Sequence, residues 1–265
     1  MTDPVQTPLI PEQRREFIFS QLRRDSVLSI RQLTSMLGVS HMTIRRDIAA
    51  LEDQGKVIST PGGAKIASRL VVEPSRTVKA MADVEQKTAI SAHAASLIRD
   101  SMTVYVDAGT TLHPLPRFLK DRRDLTVVTN DLAIAHSLMD LPGVEIIMTG
   151  GQVEKRNQSS TGRLAALTLR ELSIDLAFLT TSSWEIKRGV TIPTEFKVEP
   201  KLAAMRSASE VVLAAASTKY GSAARYRVCG LEELDLVVTD AGLTAEQAAD
   251  LDERGIEVAV AAPLG

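Results

Sequence analysis

Hydrophobic positions recur with helical spacing in three consecutive segments near the start of the chain. The first segment covers residues 12–24. Ser29 is predicted to cap a second, short helix that Gly38 ends. A third helix is predicted between Ser40 and Gly55, and its apolar residues are spaced four and three positions apart. The short link between the last two helices predicts a steep crossing, as in a helix-turn-helix.

A hairpin is predicted directly after the third helix. Two short extended runs, residues 56–60 and 64–66, flank the turn residues Pro61, Gly62 and Gly63. Three helices followed by a hairpin within about 55 residues is the plan of a winged helix-turn-helix.

The pattern changes near residue 78, where apolar runs begin to alternate with helical segments. The predicted strands are 103–107, 125–129, 144–149, 176–180, 211–215, 236–239 and 256–260. The predicted helices are 89–98, 132–139, 165–172, 197–207 and 245–252. This repeated alternation predicts an α/β fold with a doubly wound, mostly parallel sheet.

Composition excludes several classes of protein and of binding site. The 265 residues are 44% hydrophobic and 24% charged, enough for one large domain or two smaller ones. The single cysteine excludes an intramolecular disulfide and a cysteine-only metal site. The four histidines are scattered, so we expect no metal and no cofactor. Without a long apolar run or a secretory signal pattern, we expect a cytoplasmic protein with no membrane partner.

Charge is distributed unevenly along the chain. Residues 1–70 carry ten Lys/Arg and seven Asp/Glu, a net +3, and the remainder carries a net −5. A basic module followed by an acidic one fits nucleic-acid binding. The predicted DNA contacts on the third helix are Ser40, His41, Met42, Thr43, Arg45 and Arg46, and those on the hairpin are Lys56, Gly62, Gly63 and Lys65.

The chemistry of these side chains suits a major groove. Arginine reaches guanine edges or phosphates, hydroxyls donate to either, and a helix N-terminus favours phosphate. Charge alone fits a solvated face of an ordinary three-helix bundle equally well. Asp47 lies beside the buried stripe, and we expect it to hold an arginine in place.

Polar and glycine-rich segments follow three successive predicted strands. Parallel strands end at one edge, where α/β proteins bind ligands. Glycine permits close backbone approach, and amides and hydroxyls at a helix start suit an anion. The candidate effector-binding residues are Asp107, Gly109, Thr110, Thr111, Thr129, Asn130, Gly150 and Gly151, with Lys201 and Lys219 as cations.

Each of these residues has a plainer interpretation as well. A single glycine loop is usually a turn, a lone lysine is usually solvent-exposed, and Asp107 could be a cap or a base. Trp184 fits either the core or a pocket wall, and His113 is close enough in sequence to Asp107 to line the same pocket.

Together, the motifs resemble the DeoR family of bacterial transcription regulators over about residues 12–261. The residues that carry the resemblance near the N-terminus are Val39, Ser40, Thr43 to Asp47, Leu51, Gly55 and Gly62 to Ala64. Those further along are Lys87, Asp107, Gly109 to Thr111, Thr129, Asn130, Gly150, Gly151, Gly162, Lys201, Met205, Lys219, Gly221, Thr239 and Asp240.

The resemblance implies a winged-helix DNA reader joined to an effector domain similar to ribose-5-phosphate isomerase. It further implies a homo-oligomer, a dimer or tetramer, that represses a sugar-catabolic operon until a phosphorylated sugar binds. The division expected of the chain is a flexible tail (1–11), a DNA-binding domain (12–66), a linker (67–77) and an effector-binding domain (78–265).

Two segments depart from the family pattern. Ala216 stands where the family often has aspartate, so an acidic pocket group is missing. Residues 180–184 replace a glycine-rich run. Within them, residues 182–184, together with residues 40–43, resemble a branch associated with sugar-acid catabolism. A sugar acid is therefore a second candidate effector.

Two other functions remain open at this stage. The chain could be a sugar-phosphate isomerase fused to a DNA-binding module, with Asp107 as the base. It could also be an architectural DNA-binding protein with an inert second domain. We expect a regulator rather than an enzyme.

Overall fold

A computed structural model of the chain describes residues 9–25, 27–54, 56–66 and 73–264. These residues form two compact units, divided between Pro74 and Ser75. None of the described helices is long and apolar enough to cross a membrane.

The first unit contains three helices and a small antiparallel sheet. Its elements are α1 (Pro11–Asp25), β1 (Val27–Ser29), α2 (Ile30–Leu37), α3 (His41–Asp53), β2 (Val57–Thr60) and β3 (Gly63–Ile66). The three helices and the β2–β3 hairpin confirm the expected winged helix-turn-helix plan. Strand β1 was not expected, because three residues are too few to show a period; it pairs with β3, giving the order β1-β3-β2.

Local interactions explain where the middle helices begin and end. Ser29 and Gln32 form a capping box at the start of α2, and Gly38 ends that helix in the left-handed conformation with φ of 64°. Ser40 caps α3 by accepting a hydrogen bond from the amide of Thr43. One apolar stripe from each helix then meets in a shared core, formed by Ile18, Leu22, Leu33, Ile44, Ile48 and Leu51.

The second unit is built on a seven-stranded sheet. Its strands are β4 (Thr103–Val106), β5 (Leu125–Thr129), β6 (Val144–Met148), β9 (Ile174–Thr180), β12 (Ala208–Ala214), β14 (Leu236–Asp240) and β15 (Val258–Ala261). They run parallel in the order β15-β14-β12-β9-β4-β5-β6. All seven expected strands are therefore present in one parallel sheet.

Helices cover both faces of this sheet. They are α4 (Arg76–Met81), α5 (Val84–Leu97), α6 (Leu132–Leu138), α7 (Arg163–Arg170), α8 (Val198–Ser207) and α9 (Ala245–Asp252). Within β4, Val104 and Val106 pack into the core beneath α5 and α6, whereas Tyr105 packs into the core beneath α7, α8 and α9. These three residues are buried on both faces of the sheet, which is why they form an uninterrupted hydrophobic run.

Shorter elements complete the second unit. A hairpin joins β7 (Gln152–Glu154) and β8 (Ser159–Thr161), and a second sheet contains β10 (Ser183–Glu185), β11 (Gly189–Ile192) and β13 (Tyr226–Cys229). Short 3₁₀ turns lie at Leu115–Phe118, Glu195–Lys197, Ser217–Lys219 and Leu231–Glu233. Their three- and four-residue lengths give no clear sequence signal.

Two helices begin inside the segments that were expected to be irregular, one at each end of the first unit. Pro11 begins α1, so the helix takes in the last residue of the expected tail. Arg76 begins α4 inside the second unit, so this helix starts before the end of the expected linker. Residues 1–8 and 67–72, and Gly55, which was expected to end the third helix, lie outside the described residues.

A buried ion pair joins α1 to α3. The Arg14 guanidinium donates to both carboxylate oxygens of Asp47, at 2.5 and 3.1 Å, and both side chains are largely buried. Such a fork matches the geometry of a carboxylate. The expectation that Asp47 holds an arginine is thus confirmed.

We predict that Asp47→Asn destabilises the first unit by about 3 kcal/mol, because it leaves the buried Arg14 charge without its carboxylate. Asp25→Asn is the matched control, since Asp25 pairs with Arg24 on the exposed surface of the same unit. Urea unfolding of the whole chain, followed by far-ultraviolet circular dichroism, measures the loss.

Trp184, the single tryptophan, belongs to the second unit, so its fluorescence provides an internal reference. We expect the fluorescence transition of Asp47→Asn to match that of the wild type. An unchanged dichroism transition would show that the ion pair contributes nothing to stability.

Candidate functional site

The outward face of α3 carries four of the ten expected DNA contacts. His41, Met42, Arg45 and Arg46 are exposed, Met42 at 59% of its surface. Their exposure follows from the core stripe, because residues about half a turn from Ile44 must point outward. Two adjacent arginines and the helix N-terminus therefore lie together on one accessible face.

Ser40 and Thr43 form the N-terminal cap of α3, the helix that carries this face. The Ser40 hydroxyl accepts from the Thr43 amide at 3.1 Å and lies 2.9 Å from the Thr43 hydroxyl. Thr43 is half-buried. These two residues chiefly determine where the helix starts, and so where its exposed arginines stand.

The four expected hairpin contacts have different surroundings. Lys65 and Gly62 are exposed, and Gly62 takes a φ of 92° in the turn. Lys56 is half-buried, with its ammonium 5.3 Å from the centre of the Phe19 ring. Gly63 is buried, and a Cβ there would lie 2.3 Å from the Leu28 carbonyl oxygen, so its role is close packing of β3 on β1.

A groove of about 270 Å³ separates α3 from the hairpin turn. Arg45, Ala49 and Glu52 line its helical side, and residues 59–63 line the other. Glu52 accepts a hydrogen bond from the Ser59 amide at 2.7 Å, which holds the hairpin against α3. Arg45 therefore stands beside the hairpin, whereas Arg46 stands on the outermost line of the helix.

In the second unit, Asp107 lies at the end of β4 in a buried network. Its carboxylate accepts from the Thr180 amide at 2.9 Å, from the Thr180 hydroxyl at 3.1 Å and from the Tyr105 hydroxyl at 3.2 Å. It also forms an ion pair with Lys201. Burial, and then the Asp107 charge, raise the pKa of Tyr105 well above its ordinary value, so the phenol remains a donor.

Lys201 is committed to this network. It is 4% exposed, and besides Asp107 it donates to the Thr180 carbonyl at 2.7 Å. Both of its partners are protein groups at the ends of neighbouring strands. The structure therefore joins two of the expected effector residues, Asp107 and Lys201, to each other.

Lys219 stands over the loop that follows β4. Its ammonium donates to the Thr111 hydroxyl at 3.2 Å and to the Thr181 carbonyl at 2.8 Å. Thr110 and Thr111 are buried, and a Cβ at Gly109 would approach the Thr180 hydroxyl to 2.7 Å. Residues 109–111 and Lys219, far apart in sequence, thus come together.

Thr129 and Asn130 bind the ends of neighbouring strands. The Thr129 hydroxyl donates to the Val106 carbonyl at 2.6 Å, and the Asn130 side-chain oxygen accepts from the Ala108 amide at 2.7 Å. Both residues are buried. These two hydrogen bonds attach the end of β4 and the loop that follows it to the end of β5.

Gly150 and Gly151 follow β6, the edge strand two positions from β4. Nothing lies within 4 Å of a Cβ at Gly150, whereas one at Gly151 would meet the Thr161 carbonyl at 2.7 Å. Gly151 also has a φ of 110°. These glycines allow the turn into β7, and the sheet order separates them from Asp107.

Sequence reasoning missed Asp131 and Arg76. Asp131 is fully buried, and its Oδ1 caps α6 by accepting from two amides, those of Ala133 and Ile134. Its Oδ2 accepts from the Gly109 amide at 3.1 Å and from Arg76 at 2.6 Å. An aspartate directly before a predicted helix is the signal that was available.

Two further sets of side-chain contacts lie at the carboxyl edge of the sheet. Asp240 accepts from the amide and hydroxyl of Ser217, at 2.8 and 2.7 Å. Trp184 is fully buried, meets Tyr220 edge-on at 4.7 Å, and its indole donates to the Ala216 carbonyl at 3.3 Å. Of the two roles considered for Trp184, the structure shows the core.

His113 lies beside Arg76, with 3.4 Å between its Nδ1 and the guanidinium. Partial burial, and then the Arg76 charge, lower the pKa of His113, so the neutral ring is favoured at neutral pH. Among the described residues, no cluster of three histidine, cysteine or carboxylate side chains could hold a metal ion.

Comparison with known proteins identifies both units. Residues 14–69 match the DeoR-like helix-turn-helix domain, and residues 82–241 match the DeoR C terminal sensor domain. The chain belongs to the DeoR family. It is therefore a transcriptional regulator with an N-terminal DNA-binding unit and a C-terminal sensor unit.

Two curated relatives extend over nearly the whole of this DeoR-family chain. An uncharacterized HTH-type transcriptional regulator of Haemophilus influenzae is 41% identical over 94% of this chain and 97% of its own length. The uncharacterized regulator YgbI of Escherichia coli is 41% identical over 96% of this chain and 99% of its own. Ribose 5-phosphate isomerase A from Methanocaldococcus jannaschii is 15% identical, with a TM-score of 0.37 over 51% of this chain and 53% of its own.

The two lysines of this DeoR-family sensor unit should respond differently to removal of their charge. We predict that Lys201→Met lowers the free energy of unfolding of the sensor unit by about 3–5 kcal/mol, because the buried Asp107 carboxylate loses its ion-pair partner. Lys219→Met should cost about 1 kcal/mol, because its ammonium bonds a hydroxyl and a carbonyl. Urea unfolding followed by Trp184 fluorescence measures both.

The double variant Lys201→Met, Asp107→Asn is a control for the charge itself. Removing both charges should recover part of the stability that Lys201→Met loses. Equal losses for the two single lysine variants would contradict the assignment of Lys201 to the scaffold.

Proposed function

We propose that this DeoR-family regulator represses a carbohydrate or sugar-acid catabolic operon and is controlled by a small phosphorylated sugar or sugar acid. Residues 12–66 bind operator DNA, and residues 78–265 bind the effector at the carboxyl ends of the strands. The protein acts in the cytoplasm as a homo-oligomer, a dimer or tetramer, without a cofactor.

One contact carries the effector assignment. The ammonium of Lys219 lies 3.2 Å from the Thr111 hydroxyl, although 108 positions separate the two residues. A cation therefore stands over a loop whose Gly109-Thr110-Thr111 segment supplies amides and hydroxyls. That combination suits a phosphate or carboxylate attached to a hydroxylated carbon chain.

The Asp107 network supports a regulator over the isomerase alternative. Four donors, from Tyr105, Lys201 and the amide and hydroxyl of Thr180, bind this carboxylate in the described structure. A general base must reach a substrate proton. Asp107 is directed into the protein, where it joins β4, β9 and α8.

On the DNA side, the two arginines have separate roles in this proposal. Arg46 lies on the outermost line of α3 and reads a base edge in the major groove. Arg45 stands at the groove beside the hairpin and contacts a phosphate. In a dimer, two α3 helices would enter successive major grooves about 34 Å apart.

Effector control requires two arrangements of the oligomer with different affinities for DNA. A ligand changes operator binding only if it binds one arrangement more tightly than the other. The coupling is reciprocal, so operator DNA must change effector affinity by the same factor.

We predict that Arg46→Ala weakens operator binding by about 1–3 kcal/mol and relaxes specificity at one base position. Arg45→Ala should weaken binding to all sequences alike and lower the salt slope by about one phosphate contact. Titration of the chain's own upstream intergenic DNA, with single-base variants at several salt concentrations, measures both effects. Arg24→Ala, on α1, is the matched control.

If Arg46→Ala weakens binding to all sequences equally, Arg46 contacts a phosphate, and the proposed roles of the two arginines are wrong. If the wild-type chain shows no sequence preference at any salt concentration, the operator itself is not recognised and the regulator proposal fails.

We predict that one phosphorylated sugar or sugar acid changes the operator Kd by roughly 5–150-fold, the usual range of allosteric coupling. The same titration, repeated with a panel of these anions and their uncharged parent sugars, measures the change. Lys219→Met should lose the response and keep operator affinity, because it removes the cation proposed to bind the anion and lies outside the DNA-binding unit.

An equal response to an uncharged sugar would contradict the role of Lys219. Turnover of a pentose or tetrose phosphate by the purified chain, abolished by Asp107→Ala, would instead establish the isomerase.

A further inference from the structure

Helix α4 is the first element of the second unit and is tied to the unit at its N-terminal end by a buried charge. Arg76, its first residue, is 9% exposed and donates to Asp131 at 2.6 Å and to the Asn157 carbonyl at 3.3 Å. Its amide also donates to the Arg156 carbonyl at 3.1 Å. A buried arginine with an aspartate partner is a strong and directional attachment.

The oxygen that holds Arg76 also holds the candidate effector loop. Oδ2 of Asp131 accepts from the Arg76 guanidinium and, at 3.1 Å, from the Gly109 amide. The other oxygen of Asp131 is occupied at the start of α6. A change at the Gly109 amide therefore acts directly on the oxygen that holds the first residue of α4.

The C-terminal end of α4 is attached to the other side of the same candidate site. Lys87 donates to the carbonyls of Lys79 and Ala82, the latter at 2.5 Å. Asp83 then accepts from the Thr218 hydroxyl at 3.0 Å. Thr218 lies in the 3₁₀ turn Ser217–Lys219, directly before the lysine that stands over the loop.

We propose that α4 is coupled at both ends to the effector site, so that ordering of the site is transmitted to α4. An anion held by the loop competes with Asp131 for the Gly109 amide and attracts Lys219, the neighbour of Thr218. Both attachments of α4 respond to the same event. Since the first unit ends at Pro74, α4 is the first element of the second unit along the chain.

This inference rests on the proposed effector site for its biological meaning, but its physical content is testable without a ligand. If the two ends are coupled through α4, then releasing the C-terminal attachment loosens the loop at the other end. If each attachment stabilises only the residues around it, removing the C-terminal attachment leaves the loop at the other end unchanged.

Asp83→Gly removes the hydrogen bond between Thr218 and the C-terminal end of α4, and it leaves the Lys87 hydrogen bonds in place. Asp83 has a φ of 53°, a conformation that glycine adopts without strain, and its side chain makes no capping hydrogen bond to α5. Asp124→Gly is the matched control, because Asp124 has a φ of 52° and is exposed before β5. Thr218→Val removes the same hydrogen bond from its other partner.

Hydrogen–deuterium exchange of the full chain, read by mass spectrometry, measures the effect. Asp83→Gly and Thr218→Val should each raise exchange by roughly tenfold in α4 and also in residues 108–112. Asp124→Gly should leave both segments at the wild-type rate. Exchange that rises near residues 82–86 and stays at the wild-type rate in 108–112 would overturn the proposal.

The exchange result is independent of the effector experiment. A chain that responds to no sugar phosphate or sugar acid loses the proposed effector, whatever its exchange pattern. A chain that responds while residues 108–112 ignore both substitutions keeps its effector and loses the role of α4.

Discussion

Parallel strands all end at one edge of the sheet, and the backbone amides beyond those ends need acceptors that the sheet itself does not supply. The second unit meets this need with side chains from neighbouring strands. Asp107 accepts from the Thr180 amide, and Asp240 accepts from the Ser217 amide. Each carboxylate thereby connects two strand ends, and together they hold the loops of the sensor unit in place.

In the proposed effector site, the groups that hold the loops differ from the groups proposed to bind a ligand. The charges of Asp107 and Lys201 neutralise each other inside the protein. The proposed ligand-binding groups are the amides and hydroxyls of residues 109–111 and the ammonium of Lys219. Besides that ion pair, Asn130 holds this loop by accepting a hydrogen bond from the Ala108 amide. Proposed ligand-binding groups that are held by buried side chains of this kind meet a general requirement of a small-molecule site.

The sequence predicted the fold well because the sheet is buried on both faces. Continuous apolar runs such as residues 176–179 have few alternatives to a central strand. Contacts between side chains that are far apart in sequence leave no comparable pattern in the sequence. Lys201 and Lys219 look alike in sequence, yet one joins an ion pair and the other stands over a loop. Arg76 follows a proline and a serine, which indicate a linker, and its buried partner is 55 positions away.

The state of the single cysteine makes the molecule convenient to label. Cys229 is buried in β13, and burial, followed by the nearby Glu233 carboxylate, raises the pKa of its thiol to about 12. Because the thiolate is the reactive form, a buried thiol with so high a pKa is protonated at pH 7 and unreactive. A cysteine introduced at an exposed position such as Met36 would therefore take up a fluorophore or spin label alone, with the native residue left in place. Distances between the subunits of an oligomer could then be followed in solution as DNA and small molecules are added.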